Sequence, residues 1–471
     1  MPAVISDLKP NREYKESGLA WLGRVPEHWE VRRLRQLIKG RLTYGANAAA
    51  EFTNRDWPRY IRITDFSADG SLRDETFRSL PPGIARDYLV DPGDILLARS
   101  GATVGKAFLV VTLTGTACHA GYLIRARPNP SLVSPEFLFA FTQSRSFSAW
   151  KDLTFNTATI QNIGADKYAN LPVPLPPPDE QAAVVRFLGW ASGRLERAIR
   201  SKRKVIVLLN EQKQAIIHRA VTRGLDPSVP LKPSGIPWLG DIPHHWKVER
   251  TKNVFRLRTQ KSGLAHGKEL LSIYTHIGVR PRKDLEQKGN KASTTDDYWV
   301  VQKGDLIVNK LLAWMGAVGS SDYEGVTSPA YDILMPIRPL CSDYYHHLFR
   351  TNLYLGLFKQ RSRGIMDMRL RLYFDQLGQI PVPFPPVDEQ FAIVAFYLEA
   401  TADLTAAISR LEREIKLLRE YRTRLVADVV TGKLDVREAA TRLPEKTAPD
   451  ITEDETELSI DPEATDEEAV A

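Results

Sequence analysis

Cysteine is nearly absent from this chain: Cys118 and Cys341 are the only two among 471 residues, and they stand at unrelated positions. This number excludes a disulfide framework and any zinc site built from several cysteines. No run of eighteen apolar residues occurs, and the first sixteen residues lack the apolar core of a signal peptide. We therefore expect a cytoplasmic protein without a membrane span.

The sequence motifs of common enzymes are also missing. G-x-G-x-x-G, G-x-S-x-G, H-E-x-x-H and C-x-x-C do not occur, nor do the Asn-Pro-Pro-aromatic and Asp-Pro-Pro-Tyr tetrapeptides of amino-methyltransferases. Residues 101–107 come nearest to a phosphate-binding loop, but this segment is one residue short and lacks the magnesium-binding hydroxyl. We interpret it as a tight glycine turn and predict no metal site.

Acidic residues are concentrated at one end of the chain. Residues 441–471 hold eleven Asp and Glu against two Lys and Arg, whereas the whole chain has a net charge of +7, so the remainder carries +16. The tail from residue 436 has few large apolar side chains, and we predict that it is disordered. The basic remainder predicts a polyanionic ligand, most often nucleic acid.

Two long segments, residues 179–226 and 388–435, are copies of each other at a constant offset of 209. Apolar positions in both recur in alternating steps of four and three, which is a heptad pattern. A helix of about 43 residues within each copy extends for roughly 65 Å and must cover its apolar stripe, so we predict an antiparallel coiled coil of the two copies. The seam residues are Leu195, Ile199, Lys202, Ile206, Leu209, Lys213, Ile216 and Ala220 in the first copy, and Leu404, Ile408, Leu411, Ile415, Leu418, Leu425 and Val429 in the second.

Each half of the chain opens with a similar segment, which we name its entrance. Residues 17–33 and 234–250 agree at ten of seventeen positions, both tryptophans included. We interpret Trp21, Leu22, Pro26 and Trp29 as an apolar clamp that seats the chain on its own domain, since tryptophan beside proline and glycine is more often core than ligand site.

Between entrance and long helix each half has a lobe, residues 34–178 and 251–387. Short β-branched runs at 60–64, 94–98, 107–111 and 122–126 predict strands, and residues 134–144 and 342–352 predict helices. The fold class is therefore mixed α/β (α+β), with an internal repeat. A proline-rich exit ends each lobe; we expect it to be a polyproline-like strap outside any sheet, with Asp179 or Asp388 capping the helix that follows.

This combination resembles the specificity (S) subunits of type I restriction-modification systems. The resemblance is carried by the two entrances, the Gly-Asp-Ile-Leu-Leu-Ala-Arg strand, the Pro-Val-Pro-x-Pro-Pro-x-Asp-Glu-Gln exits and the helix ends VTRGLD and VTGKLD. It implies a leader (1–16), target-recognition domains at 17–178 and 234–387, spacer helices at 179–226 and 388–435 joined by a linker (227–233), and a tail (436–471).

The resemblance also implies partners. Double-stranded DNA would be read at two half-sites, while two modification (M) subunits would supply S-adenosylmethionine chemistry. Two restriction (R) subunits could join with ATP and magnesium, so this chain itself would hold no cofactor and perform no catalysis.

Readout of base edges and phosphates uses Arg, Lys, Asn, Gln, Ser and Thr on loops. Because the candidate loops of the two lobes differ, we predict an asymmetric bipartite target. The candidate DNA-binding residues are Arg99, Ser100, Lys106, Thr157, Gln161 and Asn162 in the first lobe, and Asn309, Lys310, Lys359, Arg361, Arg363, Arg369 and Arg371 in the second.

Two alternatives stay open from the residues alone. A nuclease or fused methyltransferase could use scattered carboxylates that have no fixed linear spacing. A coiled-coil scaffold for other proteins would need no DNA, and salt-dependent DNA affinity would distinguish it from a DNA-binding subunit.

Overall fold

A computed structural model describes residues 8–67, 70–101, 103–154, 162–263, 267–275, 277–284, 297–364 and 370–444. Among these, the chain forms two compact units. The first extends to Lys202 and resumes at Glu412, and the second is Arg203–Leu411. Each unit has one entrance, one lobe, half of each long helix and its own apolar core. The predicted mixture of helices and strands is confirmed.

In the first unit, the central sheet has the order 43–44, 123–126, 95–98, 107–109, with every neighbour antiparallel. A smaller sheet contains the parallel pair Arg59–Ile61 and Ala117–His119. The strands of this unit are Tyr14–Glu16, Arg24–Pro26, Glu30–Arg33, Thr43–Tyr44, Arg59–Ile61, Leu89–Val90, Ile95–Ala98, Ala107–Leu109, Ala117–His119, Leu123–Ala126 and Pro172–Leu175, and the lobe helices are Pro82–Ala85, Pro135–Thr142, Arg145–Thr154 and Ala165–Ala169.

The second unit repeats this plan. Its central sheet has the antiparallel order 255–257, 331–336, 306–309, 318–320. The strands of this unit are Leu231–Pro233, Asp241–Pro243, Lys247–Arg250, Phe255–Leu257, Leu271–Tyr274, Gly278–Pro281, Trp299–Val301, Leu306–Asn309, Val318–Ser320, Gly325–Thr327, Tyr331–Pro336 and Pro381–Phe384, and the lobe helices are Ser342–Phe349, Asn352–Arg361 and Phe374–Leu377.

The predicted strands at 94–98, 107–111 and 122–126 form, but the one at 60–64 is cut short. Its strand ends at Ile61 and a 3₁₀ turn, Ile63–Asp65, follows. The buried Asp65 carboxylate accepts the backbone N–H of Arg62 at 2.7 Å, which draws the chain out of the sheet.

The proline-rich exits join a sheet, contrary to the prediction. Pro172–Leu175 pairs antiparallel with Glu30–Arg33 of the entrance, and Pro381–Phe384 pairs with Lys247–Arg250 in the same way. Prolines alternate along each exit with residues that keep a backbone N–H, and these residues can donate hydrogen bonds. Each ladder has only two strands, so the prolines lie on an edge strand, where a missing N–H donor is tolerated. The exit therefore fastens each lobe to its entrance.

The first long helix, Pro178–Arg223, begins one residue before the predicted cap, and the second begins at Val387. Asp179 thus lies inside the first turn, where a carboxylate stabilises the helix dipole. The buried Gln181 side chain holds the start in place: it donates to the carbonyls of Leu132 and Pro176 and accepts the Ser134 N–H at 2.7 Å.

The predicted heptad seam is confirmed, since all its residues are buried or half-buried. The helices run antiparallel in the first unit, where Lys202 bonds to Glu414 at 2.5 Å and Glu196 pairs with Arg422. In the second unit, Lys213 donates to Thr405 at 3.0 Å.

The second long helix is not continuous, contrary to the pattern in its sequence. It divides into Val387–Ala400 and Ala402–Val430, which meet at an angle of 43° at Thr401. The Thr405 hydroxyl donates to the Thr401 carbonyl at 2.9 Å, and such back-bonding by threonine often accompanies a bend. The first helix has Glu196 at the position of Thr405 and is unbroken.

Each long helix ends at a glycine pressed against an entrance. Gly432 has φ of 72°, and a Cβ there would lie 2.4 Å from Pro26 and 3.1 Å from Trp29. Gly224, also at 72°, lies beside Trp246. The entrance clamp is therefore core, as predicted, and it packs on a helix end.

The chain after Asp435 departs from the predicted disorder. Residues 436–444, which we name the C-terminal segment, include the helix Arg437–Thr441, and Val436, Ala440 and Leu443 are buried in the first unit's core. These few apolar side chains suffice because a preformed core receives them. The acidic stretch 445–471 lies outside the described residues.

Candidate nucleic-acid interface

In the first lobe, the candidate residues follow a strand whose start is fixed by a buried charge. Asp94 accepts two bonds of 2.8 Å from Arg127 and one of 2.9 Å from the Asp91 N–H. The strand Ile95–Ala98 is wholly buried, so the chain reaches the surface at Arg99. The Gly-Asp motif of the sequence therefore places the loop that begins there.

Two chain segments meet at this loop. Ser100 forms an antiparallel bridge with Asn162, and the Ile163 N–H donates to the Arg99 carbonyl at 2.8 Å. The structure thus brings Asn162 beside Arg99 and Ser100, which lie far from it in the sequence. Thr157 and Gln161 fall outside the described residues.

Aromatic side chains complete the surface, and sequence reasoning missed them. The Arg99 guanidinium lies 4.9 Å from the Tyr44 ring centroid, and its Nε has no hydrogen-bond partner in the described structure. Tyr44 and Tyr122 are 43% and 65% exposed, and Tyr122 accepts the Arg99 N–H through its carbonyl at 3.0 Å. Their only sequence signal is a glycine next to each.

Lys106 lies on the turn that closes this loop. Gly101 and Gly105 have φ of 77° and 82°, and the Gly105 N–H donates to Ala98 at 3.0 Å, so the glycine turn inferred from the sequence is confirmed. A Cβ on Gly105 would lie 2.3 Å from the Lys151 side chain, because the turn packs on the helix Arg145–Thr154. Lys106 itself is exposed.

The second lobe fixes its loop in the same way. Buried Asp305 accepts bonds of 2.8 and 2.9 Å from Arg258, and the strand Leu306–Asn309 follows. Asn309 is buried, and its side chain accepts the Leu311 N–H at 3.0 Å, which makes it a turn residue in this structure. Lys310 donates to the Pro329 carbonyl at 2.9 Å and lies 3.4 Å from Asp332, whose pKa is raised by burial.

Four cations of the second lobe share one exposed region. The Arg363 and Arg371 backbones exchange hydrogen bonds of 3.0 and 2.9 Å, and the Leu372 N–H donates to Lys310 at 2.8 Å. Arg361 ends the helix Asn352–Arg361, and Lys359 lies 4.9 Å from the Trp314 ring centroid. Arg363 pairs with Asp375 at 2.9 Å. Arg369 lies outside the described residues.

Both lobes therefore build a surface from the same three segments. These are the loop after the buried-aspartate strand, the helix that packs beside it (Arg145–Thr154 or Asn352–Arg361) and the chain that follows the next undescribed stretch. Cations, amides and exposed rings there suit phosphate contacts and base-edge readout. That each named residue contacts DNA stays a prediction.

His346, His347 and Cys118 are suited to structural roles. Burial lowers the pKa of His347 to about 3 and that of His346 well below its ordinary value, and the His346 Nδ1 accepts the Ser320 N–H at 3.2 Å. Burial raises the pKa of the Cys118 thiol to about 12. Within the described ranges no group of three or more His, Cys, Asp or Glu is placed to hold a metal.

No single helix in the described part of the chain is long and apolar enough to cross a membrane. Val387–Ala400 and Ala402–Val430 reach that length and composition only when taken together across their 43° bend.

Comparisons with known proteins agree with this architecture. Residues 26–201 match the type I restriction modification DNA specificity domain. A protein of Methanocaldococcus jannaschii named as the MjaX specificity subunit of a type I restriction enzyme is 25% identical over 90% of this chain and 98% of its own length. The specificity subunit of the type I restriction enzyme EcoDI from Escherichia coli is 24% identical over 79% of this chain and 81% of its own.

A solved chain from work on complex assembly and conformational transition of the type I R-M system shares the fold, with a TM-score of 0.58. The likeness covers 86% of this chain and 98% of that one at 16% identity. The specificity domain and the relatives named as specificity subunits, which align over most of the chain, agree with each other, and the chain belongs to the specificity subunits of type I restriction-modification systems.

Proposed function

We propose that each lobe contacts one half of a bipartite, asymmetric DNA target through the surface built from its three segments. The observation that carries this proposal is the grouping of Lys359, Arg361, Arg363 and Arg371 beside Lys310 on one exposed region of the second lobe. The corresponding region of the first lobe has different side chains around Arg99 and Asn162. Different side chains on a repeated framework favour two different half-sites.

The chain is the DNA sequence-specificity subunit of its complex and is not itself an enzyme. The proposal gives adenine methylation with S-adenosylmethionine to two modification subunits, and ATP-driven translocation and cleavage with magnesium to two restriction subunits. The long helices would set the gap between the half-sites. These assignments place the complex in the cytoplasm with the DNA.

The test measures DNA binding by the complex of this chain with its modification subunit. It compares the wild-type chain with variants in the second lobe. Arg361→Ala and Arg371→Ala are expected to weaken binding of cognate DNA by about 1–3 kcal/mol each if they read bases. If they contact phosphates, each should reduce the slope of log affinity against log salt concentration by about one. Lys247→Ala is the matched control, because Lys247 is an exposed cation on the entrance strand of the same unit.

Modified-base mapping of host DNA supplies the second readout. An asymmetric bipartite motif is expected, and a palindromic motif would contradict the assignment of different half-sites. If the two variants and the control bind DNA with equal affinity and equal salt dependence, the proposal that this surface contacts DNA is wrong.

A further inference from the structure

One face of the first lobe's central sheet ends in three side chains that the strand register places together. Arg99 lies directly across from Tyr122, whose carbonyl accepts the Arg99 N–H at 3.0 Å. One pair further along, Ile124 lies between Leu97 and Tyr44 on its two neighbouring strands. Residues that face each other, or that are two apart along a strand, point to the same side of a sheet. Tyr44, Arg99 and Tyr122 therefore share one side.

The Tyr44 ring is held in a fixed position. Its hydroxyl accepts the Ala165 N–H at 2.9 Å, at the start of a lobe helix. The next residue, Gly45, lies so close to the neighbouring chain that a Cβ there would be 2.3 Å from a backbone carbonyl oxygen. The Arg99 guanidinium lies 4.9 Å from the centre of the Tyr44 ring. A guanidinium that packs on a fixed ring loses less freedom when it binds a ligand.

Arg99 also lacks the carboxylate that its copy in the second lobe has. Lys310 occupies the position of Arg99, and Asp332 lies 3.4 Å from it on the neighbouring strand. In the first lobe the position of Asp332 is held by Ile124, which is fully buried. The Arg99 side chain has no hydrogen bond or ion pair within the described structure, and its Nε is buried without a partner. The charge of Arg99 is therefore available to a ligand, whereas that of Lys310 is already paired.

The exposed ring of Tyr122 has no counterpart in the second lobe. The Lys310 N–H donates to the Ala330 carbonyl as the Arg99 N–H does to that of Tyr122, so an alanine stands at the matching position. Tyr122 is 65% exposed and Tyr44 is 43% exposed. Aromatic rings make apolar contacts with bases, whereas a phosphate offers only charged oxygens. The surroundings of Arg99 therefore favour contact with a base.

We propose that Arg99 reads a guanine in the half-site bound by the first lobe, with two guanidinium N–H groups on guanine O6 and N7, and that Tyr44 is the positioning residue that orients it. The proposal rests on the proposed function given above. The major-groove edge of guanine presents two acceptors that match the fork of a guanidinium, and this pairing is the commonest specific contact to a base. Lys310 is a point charge and is not expected to read a base in this way.

The experiment measures how the complex of the full-length chain with its modification subunit binds oligonucleotides that carry the mapped host motif. 7-Deazaguanine, which lacks the N7 acceptor, replaces one guanine of the motif at a time. At one guanine the replacement is expected to weaken wild-type binding at least about fivefold. Arg99→Ala should weaken binding of the unmodified motif by roughly 5- to 150-fold and should then be insensitive to 7-deazaguanine at that position.

Further variants separate reading from charge and from fold. Arg99→Lys keeps the charge but loses the fork, so it should retain the salt dependence of binding and lose the sensitivity to 7-deazaguanine. Tyr44→Leu should reduce that sensitivity, and Tyr44→Phe, which keeps the ring, should restore most of it. Arg86→Ala is the matched control, because Arg86 is a 76% exposed guanidinium of the same lobe. Circular dichroism and melting temperature are compared for all variants, and Arg99→Lys supplies the comparison if alanine lowers the stability.

Two results would overturn the proposal. One is specific binding in which 7-deazaguanine has no effect at any guanine, or has the same effect in the Arg99 variants as in the wild type. The other is an equal loss of affinity of Arg99→Ala for cognate and unrelated DNA with a salt slope lower by about one, because Arg99 would then contact a phosphate. A wild-type complex that binds the motif no better than unrelated DNA would refute the proposed function itself. Specific wild-type binding with either of the first two results removes only the guanine contact.

Discussion

Replacing Asp305 by alanine tests the reasoning about the buried-aspartate strands most directly. Asp305 is 1% exposed, accepts two bonds from Arg258 and accepts the Gln302 N–H at 2.8 Å. The Arg258 side chain is only 12% exposed, so removing the carboxylate leaves a buried charge unpaired. Breaking a buried pair in this way costs about 3–5 kcal/mol.

The same substitution at Asp94 should cost less. Arg127 is 33% exposed, and after Asp94→Ala it keeps a second carboxylate, Asp91, at 2.7 Å. Asp74→Ala is the control, because Asp74 and its partner Arg55 are both largely exposed and their pairing is screened by water. The expected order of destabilisation is therefore Asp305, then Asp94, with Asp74 indistinguishable from wild type.

Thermal denaturation followed by tryptophan fluorescence and by circular dichroism measures these effects. A unit of about 200 residues loses roughly 2–4 °C of melting temperature per kcal/mol, so Asp305→Ala should lower the transition of its unit by about 10 °C. Asp305→Asn keeps the shape but not the charge and should fall between alanine and wild type. Equal stability of the Asp305 and Asp74 alanine variants would refute the argument from burial.

Three further substitutions or conditions test other parts of the fold. Gly432→Ala should destabilise the first unit in thermal melts far more than Gly18→Ala, since both glycines have positive φ but only Gly432 has atoms within 3 Å of the added Cβ. Lys202→Met should destabilise the seam, and the added change Glu414→Leu should restore or exceed wild-type stability, because a half-buried pair is replaced by apolar contact. Burial lowers the pKa of His347, so the folded protein favours its neutral form. The free energy of unfolding should therefore be at its full value above pH ~6.5 and fall by up to about 1.4 kcal/mol per pH unit towards pH 3. Acid denaturation of His347→Gln should show a smaller loss.

The repeats made much of the fold predictable. Seam positions such as Ile199 and Ile415 could be identified because heptad spacing depends only on the neighbouring residues of one helix. The bend at Thr401 could not be identified, because residues 388–435 keep the register of the first copy, whose helix is unbroken. The proline-rich exits were wrongly placed outside any sheet because the prediction treated every position as proline, although Val173 and Val382 keep their N–H groups.

The candidate interface was predictable by segment rather than by residue. Loops after the Gly-Asp strands could be found from sequence, but the direction of each side chain could not: Asn309 turns inward to its own backbone, while Tyr44 reaches Arg99 from a distant strand. Such contacts depend on which loops the tertiary fold brings together. The prediction from composition that disorder begins at residue 436 was also wrong. The few apolar residues after Asp435 pack into a core that the rest of the first unit forms.

The repeated and unrepeated parts of the chain have different roles. Glu180 and Glu389 occupy equal positions and each meets an entrance histidine at 2.7 Å, so the duplicated framework fixes lobe, entrance and helix in one arrangement twice. The copies differ elsewhere: under the proposed function, different side chains on the lobe surfaces select different half-sites, and the helix Arg437–Thr441 covers the start of the first long helix. A duplicated protein with identical copies would read a symmetric target and offer two equal faces to its partners. Exchanging the exposed side chains of the two lobe surfaces, without touching the glutamates, should therefore change the DNA target while leaving the stability of both units unaltered.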